Sequence, residues 1–255
     1  MSLIFGKQKN SPIIAKQYKL NKEIDTVSYI DDEDNEIEQG ERLKRIRLNL
    51  KDELFFPCVT DFFKNEQVDR IYCTGETGCG KTSFIVRYAD EFHKMYPSSR
   101  VLLWSSKKED KMIDKRKYIS RVEIEDDIYI NPTTLKEISS KSKTTLCIFD
   151  DIEDFKNKKI NQEVLRLLQE IMRNGRSYGI FSIFVHHDPC DYRQTKGMLF
   201  ECNKVVIFPR RCGKGAYNYL LEKKLHLSKE NIKMINTLKS NYVCINKGVP
   251  KYIIS

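Results

Sequence analysis

The chain has 255 residues, 40% hydrophobic, 11% aromatic and 32% charged, with 45 Lys and Arg against 36 Asp and Glu. This length makes one large domain or two small ones at ~100–200 residues each, and 11 Gly and 7 Pro are too few for a collagen-like or low-complexity chain. No apolar run approaches the ~18–20 residues of a membrane span, and the first seven residues lack the apolar core of a signal peptide. The composition therefore reads as a soluble, basic, intracellular globular protein.

Residues 1–60 read as an N-terminal extension. Six of the eight residues from Asp31 to Glu38 are acidic, followed by Gly40 and the basic stretch Glu41–Lys51. Such an acidic run is a solvated loop or hairpin turn. Residues 61–255 read as the main domain, because from Val68 onward strand-like and helix-like patterns alternate. Val68–Cys73 is β-prone and leads into a Gly-rich turn. Ser83–Tyr96 then places Phe84, Ile85, Tyr88, Ala89, Phe92, Met95 and Tyr96 on one helical face, and Pro97 closes it.

Further strands are expected at Arg100–Trp104, Asp127–Asn131, Thr144–Phe149, Ile180–Val185 and Lys204–Phe208. A helix is expected at Glu163–Arg173, where Val164, Leu167, Leu168 and Ile171 are in phase, and two more at Ala216–Leu225 and Lys229–Lys239. A hairpin of Tyr242–Ile245 and Tyr252–Ile254 around Lys247-Gly248 ends the chain. Strands alternating with helices predict an α/β fold with a mostly parallel central sheet flanked by helices.

The Gly-rich turn carries the chemistry. Gly75-Glu76-Thr77-Gly78-Cys79-Gly80-Lys81-Thr82 matches G-x-x-x-x-G-K-[ST] at every fixed position. Its glycines let backbone N–H groups turn inward around phosphate oxygens, and the following helix adds its positive N-terminus. Lys81 is expected to reach the β- and γ-phosphates of ATP, and the Thr82 hydroxyl to join the Mg²⁺ shell. The partner motif is Leu146-Cys147-Ile148-Phe149-Asp150-Asp151, an apolar strand ending in carboxylates. Asp150 is expected to hold Mg²⁺ through water and Asp151 to polarise the attacking water, with Glu153 and Asp154 as competitors for that role. The strand lying between the two motifs points to ATPases rather than GTPases. Consistently, Asn203-Lys204-Val205-Val206 lacks the Asp of a guanine-reading Asn-Lys-x-Asp, and no D-x-x-G follows Asp150 or Asp151.

The eight cysteines contain no Cys-x-x-Cys. Cys73, Cys147 and Cys244 lie in apolar runs as small hydrophobes. The spacing of His187, Cys190, Cys202 and Cys212 fits no paired zinc-ligand pattern, and a reducing compartment is the simpler reading.

The net charge of +9 is uneven. From Lys204 to Ser255 there are 11 Lys and Arg and two acids, so this last fifth carries the whole excess. Such asymmetry points to a polyanionic partner such as nucleic acid.

One further segment carries a resemblance. Arg173-Asn174-Gly175-Arg176-Ser177-Tyr178-Gly179-Ile180 precedes the strand Phe181–Val185, which ends in His186-His187-Asp188-Pro189. With the two motifs above and the terminal hairpin, this order resembles the FtsK–HerA superfamily of DNA-pumping P-loop ATPases over roughly Phe55–Ser255. It looks most like the genome-packaging ATPases of poxviruses, other large eukaryotic DNA viruses and virophages. The resemblance implies a RecA-like fold, ATP and Mg²⁺ as cofactors, and translocation of double-stranded DNA by a homo-oligomeric ring, a hexamer or pentamer. A capsid or portal-like vertex partner and a location in the host cytoplasm (viral factory) or virion are implied with it.

It also implies that His187, or its rival His186, stands where the family's polar sensor meets the γ-phosphate. Arg173 or Arg176 stands where the family presents an arginine to the neighbouring subunit's ATP. A translocase holds DNA through its phosphates. Arg210, Arg211 and Lys214, beside Gly213 and Gly215, form one candidate loop. Lys107, Lys108, Lys111, Lys115, Arg116 and Lys117 form another, diluted by Glu109, Asp110 and Asp114.

Overall fold

The computed structural model describes residues 2–5, 13–19, 22–30, 53–124, 134–139, 143–211, 213–238, 240–248 and 252–254. The acidic run, the basic stretch after it and the expected strand Asp127–Asn131 lie outside them. The chain forms two units, Met1–Cys58 with Ile254–Ser255, and Val59–Ile253.

In the first unit the extension is itself a sheet. Strands β1 (Ser2–Phe5), β2 (Ile13–Lys19), β3 (Lys22–Ile30) and β4 (Glu53–Pro57) lie in the order β1-β3-β2-β4. The pairings of β1 with β3, β2 with β3 and β2 with β4 are antiparallel, from Ser2↔Ile30 to Lys19↔Glu53.

The second unit opens with the one-turn helix α1 (Phe62–Asn65), capped by the Asp61 carboxylate on the N–H groups of Phe63 and Lys64. Strand β5 (Arg70–Thr74) leads through the Gly-rich turn into α2 (Lys81–Met95). Then come β6 (Arg100–Ser105), the short β7 (Ile119–Arg121), α3 (Leu135–Ser139) and β8 (Thr145–Asp150). Helix α4 (Lys158–Asn174) runs into a 3₁₀ turn, Gly175–Tyr178, before β9 (Ile180–His186). The remainder is α5 (Tyr192–Glu201), β10 (Lys204–Ile207), α6 (Lys214–Tyr219), α7 (Lys229–Thr237), β11 (Val243–Asn246) and β12 (Tyr252–Ile254).

These strands form an eight-stranded sheet in the order β12-β11-β10-β5-β9-β8-β6-β7. The pairings from β10 across to β7 are parallel, and β11 runs antiparallel to β10. Every residue of β8 and β9 is buried, as expected for parallel strands covered on both faces. Alternation sorts the side chains by face. Tyr72, Trp104, Phe149 and Phe184 join one cluster with the apolar sides of α3 to α7, whereas Phe181 on the opposite register meets Phe92 and Tyr96 at the end of α2. The protein unit is thus three layers, helix–sheet–helix.

Two expectations need correction, and one helix was not expected. Met95, placed in the apolar stripe of α2, is 44% exposed at the last turn, while Val86 is buried because α2 is covered over a wider arc. The helix expected at Ala216–Leu225 changes pitch. Leu220–Lys224 is π-helical, with the Leu225 N–H reaching back to the Leu220 carbonyl at 3.0 Å. Helix α5 had no clear apolar period to mark it.

Candidate nucleotide site

Parallel order sets where the site is. Strands β5, β8 and β9 all end on the same edge of the sheet, and β9 lies between the other two. The Gly-rich turn leaves β5 there, Asp150 and Asp151 end β8, and His186 and His187 end β9. Open α/β sheets hold ligands at this carboxyl edge.

The turn is built for close approach. Gly78 has φ +76° and Gly80 φ +111°, conformations that L side chains rarely adopt. A Cβ on Gly75 would lie 2.8 Å from Cys79 Sγ and 3.1 Å from the Phe208 ring. Thr77, Gly78, Gly80, Lys81, Thr82, Ser83, Lys107, Asp150, Asp151 and His187 line a cleft of about 250 Å³. Its lining thus includes most of the expected phosphate loop and both strand-end aspartates.

Four charged or polar side chains form a chain across this cleft. Lys81 Nζ donates to the Gly75 carbonyl (2.5 Å), the Glu76 carbonyl (3.1 Å) and His187 Nδ1 (3.2 Å). His187 Nε2 lies 2.8 Å from Asp151 Oδ1. The tautomer with its proton on Nε2 satisfies both contacts, accepting from Lys81 and donating to Asp151. Asp151 Oδ2 is paired in turn with Lys107.

Electrostatics separate the two carboxylates. Burial, with the charge of Asp151 beside it, pushes Asp150 up to about 6, against the pull of Lys107 and Lys81. Burial also works to raise Asp151, but the hydrogen bonds and charges of Lys107 and His187 outweigh it and hold this carboxyl below its ordinary value. Asp151 also sits at φ +52°, in the left-handed region, a strain tolerated where surrounding contacts fix the residue.

Other expected residues lie elsewhere. Glu153 does not line the cleft. Its carboxylate oxygens are buried without a hydrogen-bond partner among the described residues, and Oε1 is 4.0 Å from His186 Nε2. Asp151, Glu153 and His187 bring one ligand atom each within 4.8 Å of one another. Asp154 is exposed. His186 turns away, its Nδ1 within hydrogen-bonding reach of the Asp188 backbone.

Arg173 and Arg176 precede β9 and so stand at the opposite edge of the sheet from the cleft, both exposed, with Arg173 Nε 4.0 Å from Glu201. Arg210 and Arg211 form a 3₁₀ turn after β10, on the same edge as the cleft. The Arg211 carbonyl accepts from the Glu76 N–H at 3.1 Å, joining this basic turn to the phosphate loop. Lys214 begins α6.

The basic excess of the last fifth is not one surface. Lys204 is buried against Asp69 at 2.7 Å, and Lys247 donates to the carbonyls of Leu199 and Phe200 at the end of α5. In the other basic cluster, Arg116 is engaged by Asp90. Lys107 belongs to the cleft, a position visible only once β6 is seated beside β8. Ser83 lines the cleft too, and its place just after the Lys81-Thr82 pair was the available signal.

A Thr hydroxyl and a buried carboxylate are oxygen donors suited to a hard cation such as Mg²⁺, and Thr82 and Asp150 bring both to this cleft. Fold and site together define a P-loop NTPase with an added strand, β9, between its two motif-bearing strands. No family model matches the chain. Protein V3 of the Sputnik virophage, itself uncharacterised, is 30% identical over 187 residues, covering 72% of this chain and 73% of V3. The chain belongs to the family of V3.

The fold is shared with two solved viral NTPases. The genome-packaging NTPase B204 of Sulfolobus turreted icosahedral virus 2, solved with ATPγS, gives a TM-score of 0.53 at 18% identity over 75% of this chain and 98% of B204. B204 of Sulfolobus turreted icosahedral virus, described as its DNA-packaging ATPase, gives 0.52 at 17% over 73% and 97%.

Proposed function

We propose that this protein is an ATPase that drives double-stranded viral DNA into a capsid, working as a homo-oligomeric ring. The observation that carries the reading is the cleft itself, where a phosphate loop faces a strand-end pair of aspartates through His187. The family relationship to a virophage protein and the fold shared with B204 support the packaging role.

In this reading the N–H groups of Gly75–Thr82 and the start of α2 hold the phosphates of ATP, and Lys81 turns from the loop carbonyls to the β- and γ-phosphates. Thr82 and Asp150 hold Mg²⁺, which when bound neutralises charge on the phosphate oxygens. Asp151, kept ionised, orients the attacking water and takes its proton. The water oxygen bonds to the γ-phosphorus as the bond to the β–γ bridging oxygen breaks, and ADP leaves with that electron pair. His187, touching both Lys81 and Asp151, reports the state of the phosphate end to the water-orienting carboxylate. Glu153 is the competing acid, but it stands outside the cleft lining.

Arg173 and Arg176 are at the far edge from their own cleft, where only a neighbouring subunit's nucleotide is within their reach. An arginine supplied in trans is worth ~10³–10⁵ in rate in P-loop systems. The turn bearing Arg210 and Arg211, followed by Lys214, is the proposed DNA contact. Steady-state ATP hydrolysis with and without duplex DNA tests the reading. We expect Mg²⁺-dependent turnover that rises with DNA and disappears in Lys81→Ala. No turnover with DNA present would leave a nucleotide-gated assembly scaffold instead.

A further inference from the structure

Lys107 differs from the other lysines of its segment. It lies two residues past β6, the strand paired with β8 through Ser105↔Asp150. Its backbone is fixed on both sides. The N–H donates to Ser105 Oγ at 3.2 Å, and the carbonyl accepts from Arg121 Nη1 at 2.8 Å. Arg121 is itself tied to Asp114 at 3.0 Å. The side chain is 54% exposed, while the Asp151 carboxylate it meets is 3% exposed. A pinned backbone thus carries an ammonium group at the rim of the cleft, at the other end from Lys81 of the chain that runs through His187 and Asp151. The buried carboxylate is fixed, whereas the half-exposed ammonium keeps contact with water and can exchange partners at little desolvation cost.

We propose that Lys107 is a second phosphate-binding lysine, which leaves Asp151 for the terminal phosphate when a nucleoside triphosphate occupies the cleft. The inference rests on the nucleotide-site reading above. In the structure both Asp151 oxygens are engaged, Oδ1 by His187 and Oδ2 by Lys107, so an attacking water has to share either oxygen with a donor already in place. An entering γ-phosphate offers Lys107 a more highly charged partner within the same cleft. Transfer of the ammonium frees Oδ2 and places a cation where charge gathers on the phosphoryl oxygens. Only the triphosphate presents that group, so Lys107 distinguishes ATP from ADP and links occupancy of the terminal position to the release of the base.

The test is calorimetric titration of the full chain, with Mg²⁺, using ADP and a non-hydrolysable ATP analogue. Wild type is compared with Lys107→Met, Lys107→Arg and Lys81→Ala, and single-turnover hydrolysis is measured alongside. Loss of a hydrogen bond to a charged group predicts a roughly tenfold to hundredfold weaker triphosphate affinity in Lys107→Met. Its ADP affinity is expected to be unchanged and its hydrolysis slower by a similar factor, with Lys107→Arg recovering most of both. Equal losses for ADP and triphosphate would mark a structural role and overturn the proposal, as would no loss for either. Faster hydrolysis in Lys107→Met would make Lys107 only a restraint on Asp151, and would overturn it too. Wild type that binds neither nucleotide, or binding that survives Lys81→Ala, would instead sink the nucleotide-site reading and this inference with it.

Discussion

Lys204 Nζ lies 2.7 Å from Asp69 Oδ1, and both side chains are less than 5% exposed. Asp69 also accepts from the Tyr88 hydroxyl at 2.5 Å, and from the Thr60 hydroxyl and N–H at 2.6 and 3.0 Å. The carboxylate therefore ties together the segment before β5, helix α2 and the first residue of β10, at the edge of the sheet opposite the phosphate loop.

Removing one partner leaves a buried charge unmatched. Lys204→Met is expected to lower stability by about 3–5 kcal/mol, and the double variant Asp69→Asn/Lys204→Met to lose less than the sum of its singles. Urea unfolding of the four proteins measures both, and additive losses would show that the two residues do not act as a pair.

Asp150 makes the opposite trade. Its folded pKa of about 6 is above the unfolded carboxylate value, so the folded state favours the protonated form. This group's contribution to stability is therefore greatest below about pH 4 and falls as pH rises from there through about 6. In EDTA, Asp150→Asn is expected to be more stable than wild type at pH 7.5, by up to ~3 kcal/mol, and level with it near pH 4. Nucleotide-dependent Mg²⁺ binding should vanish in the same variant. Urea midpoints across this range decide the first expectation, and titration the second.

Gly179 joins α4 to β9 at φ +64°, where an added Cβ would meet the Lys143 carbonyl oxygen at 2.4 Å. Gly179→Ala should cost at least ~2 kcal/mol through clash and left-handed strain together. Gly78, also at positive φ but facing open space, should cost only ~1 kcal/mol as Ala. Thermal melts of the two variants give the comparison, and equal losses would show that backbone conformation alone matters.

An arginine acting between subunits has a signature in mixtures. Arg173→Ala and Arg176→Ala proteins are each combined with Asp150→Ala protein, which is inactive through its own site. Partial recovery of hydrolysis is expected for whichever arginine crosses the interface. The absence of recovery in both mixtures would count against action in trans.

Most of the sheet was legible from apolar runs bounded by turn residues. Thr144–Phe149 and Ile180–Val185 appear as β8 and β9, shifted by a residue at most, because buried parallel strands write themselves as continuous hydrophobic segments. The phosphate loop was legible because its glycines and lysine are contiguous. What the sequence did not show is lateral order. Lys107 and Asp151 are 44 positions apart, and they meet because β6 pairs with β8. The strands of the first unit were missed for a different reason: β2 and β3 mix charged with apolar residues, and their pairing depends on neighbours rather than on an apolar signal. Charge counting misled at Lys204, whose burial against Asp69 no composition reveals.

The tie between the basic turn and the phosphate loop runs from the Glu76 N–H to the Arg211 carbonyl. Both atoms belong to the main chain, so the identity of neither side chain enters into it. The arginines of the turn can be replaced one at a time, changing what it touches outside, while its attachment to the loop stays whole. Only proline at position 76, which has no N–H to give, would sever it without altering a single charge on the turn. The turn therefore keeps its outward charges and its internal linkage on separate chemical groups, and each can be dissected alone.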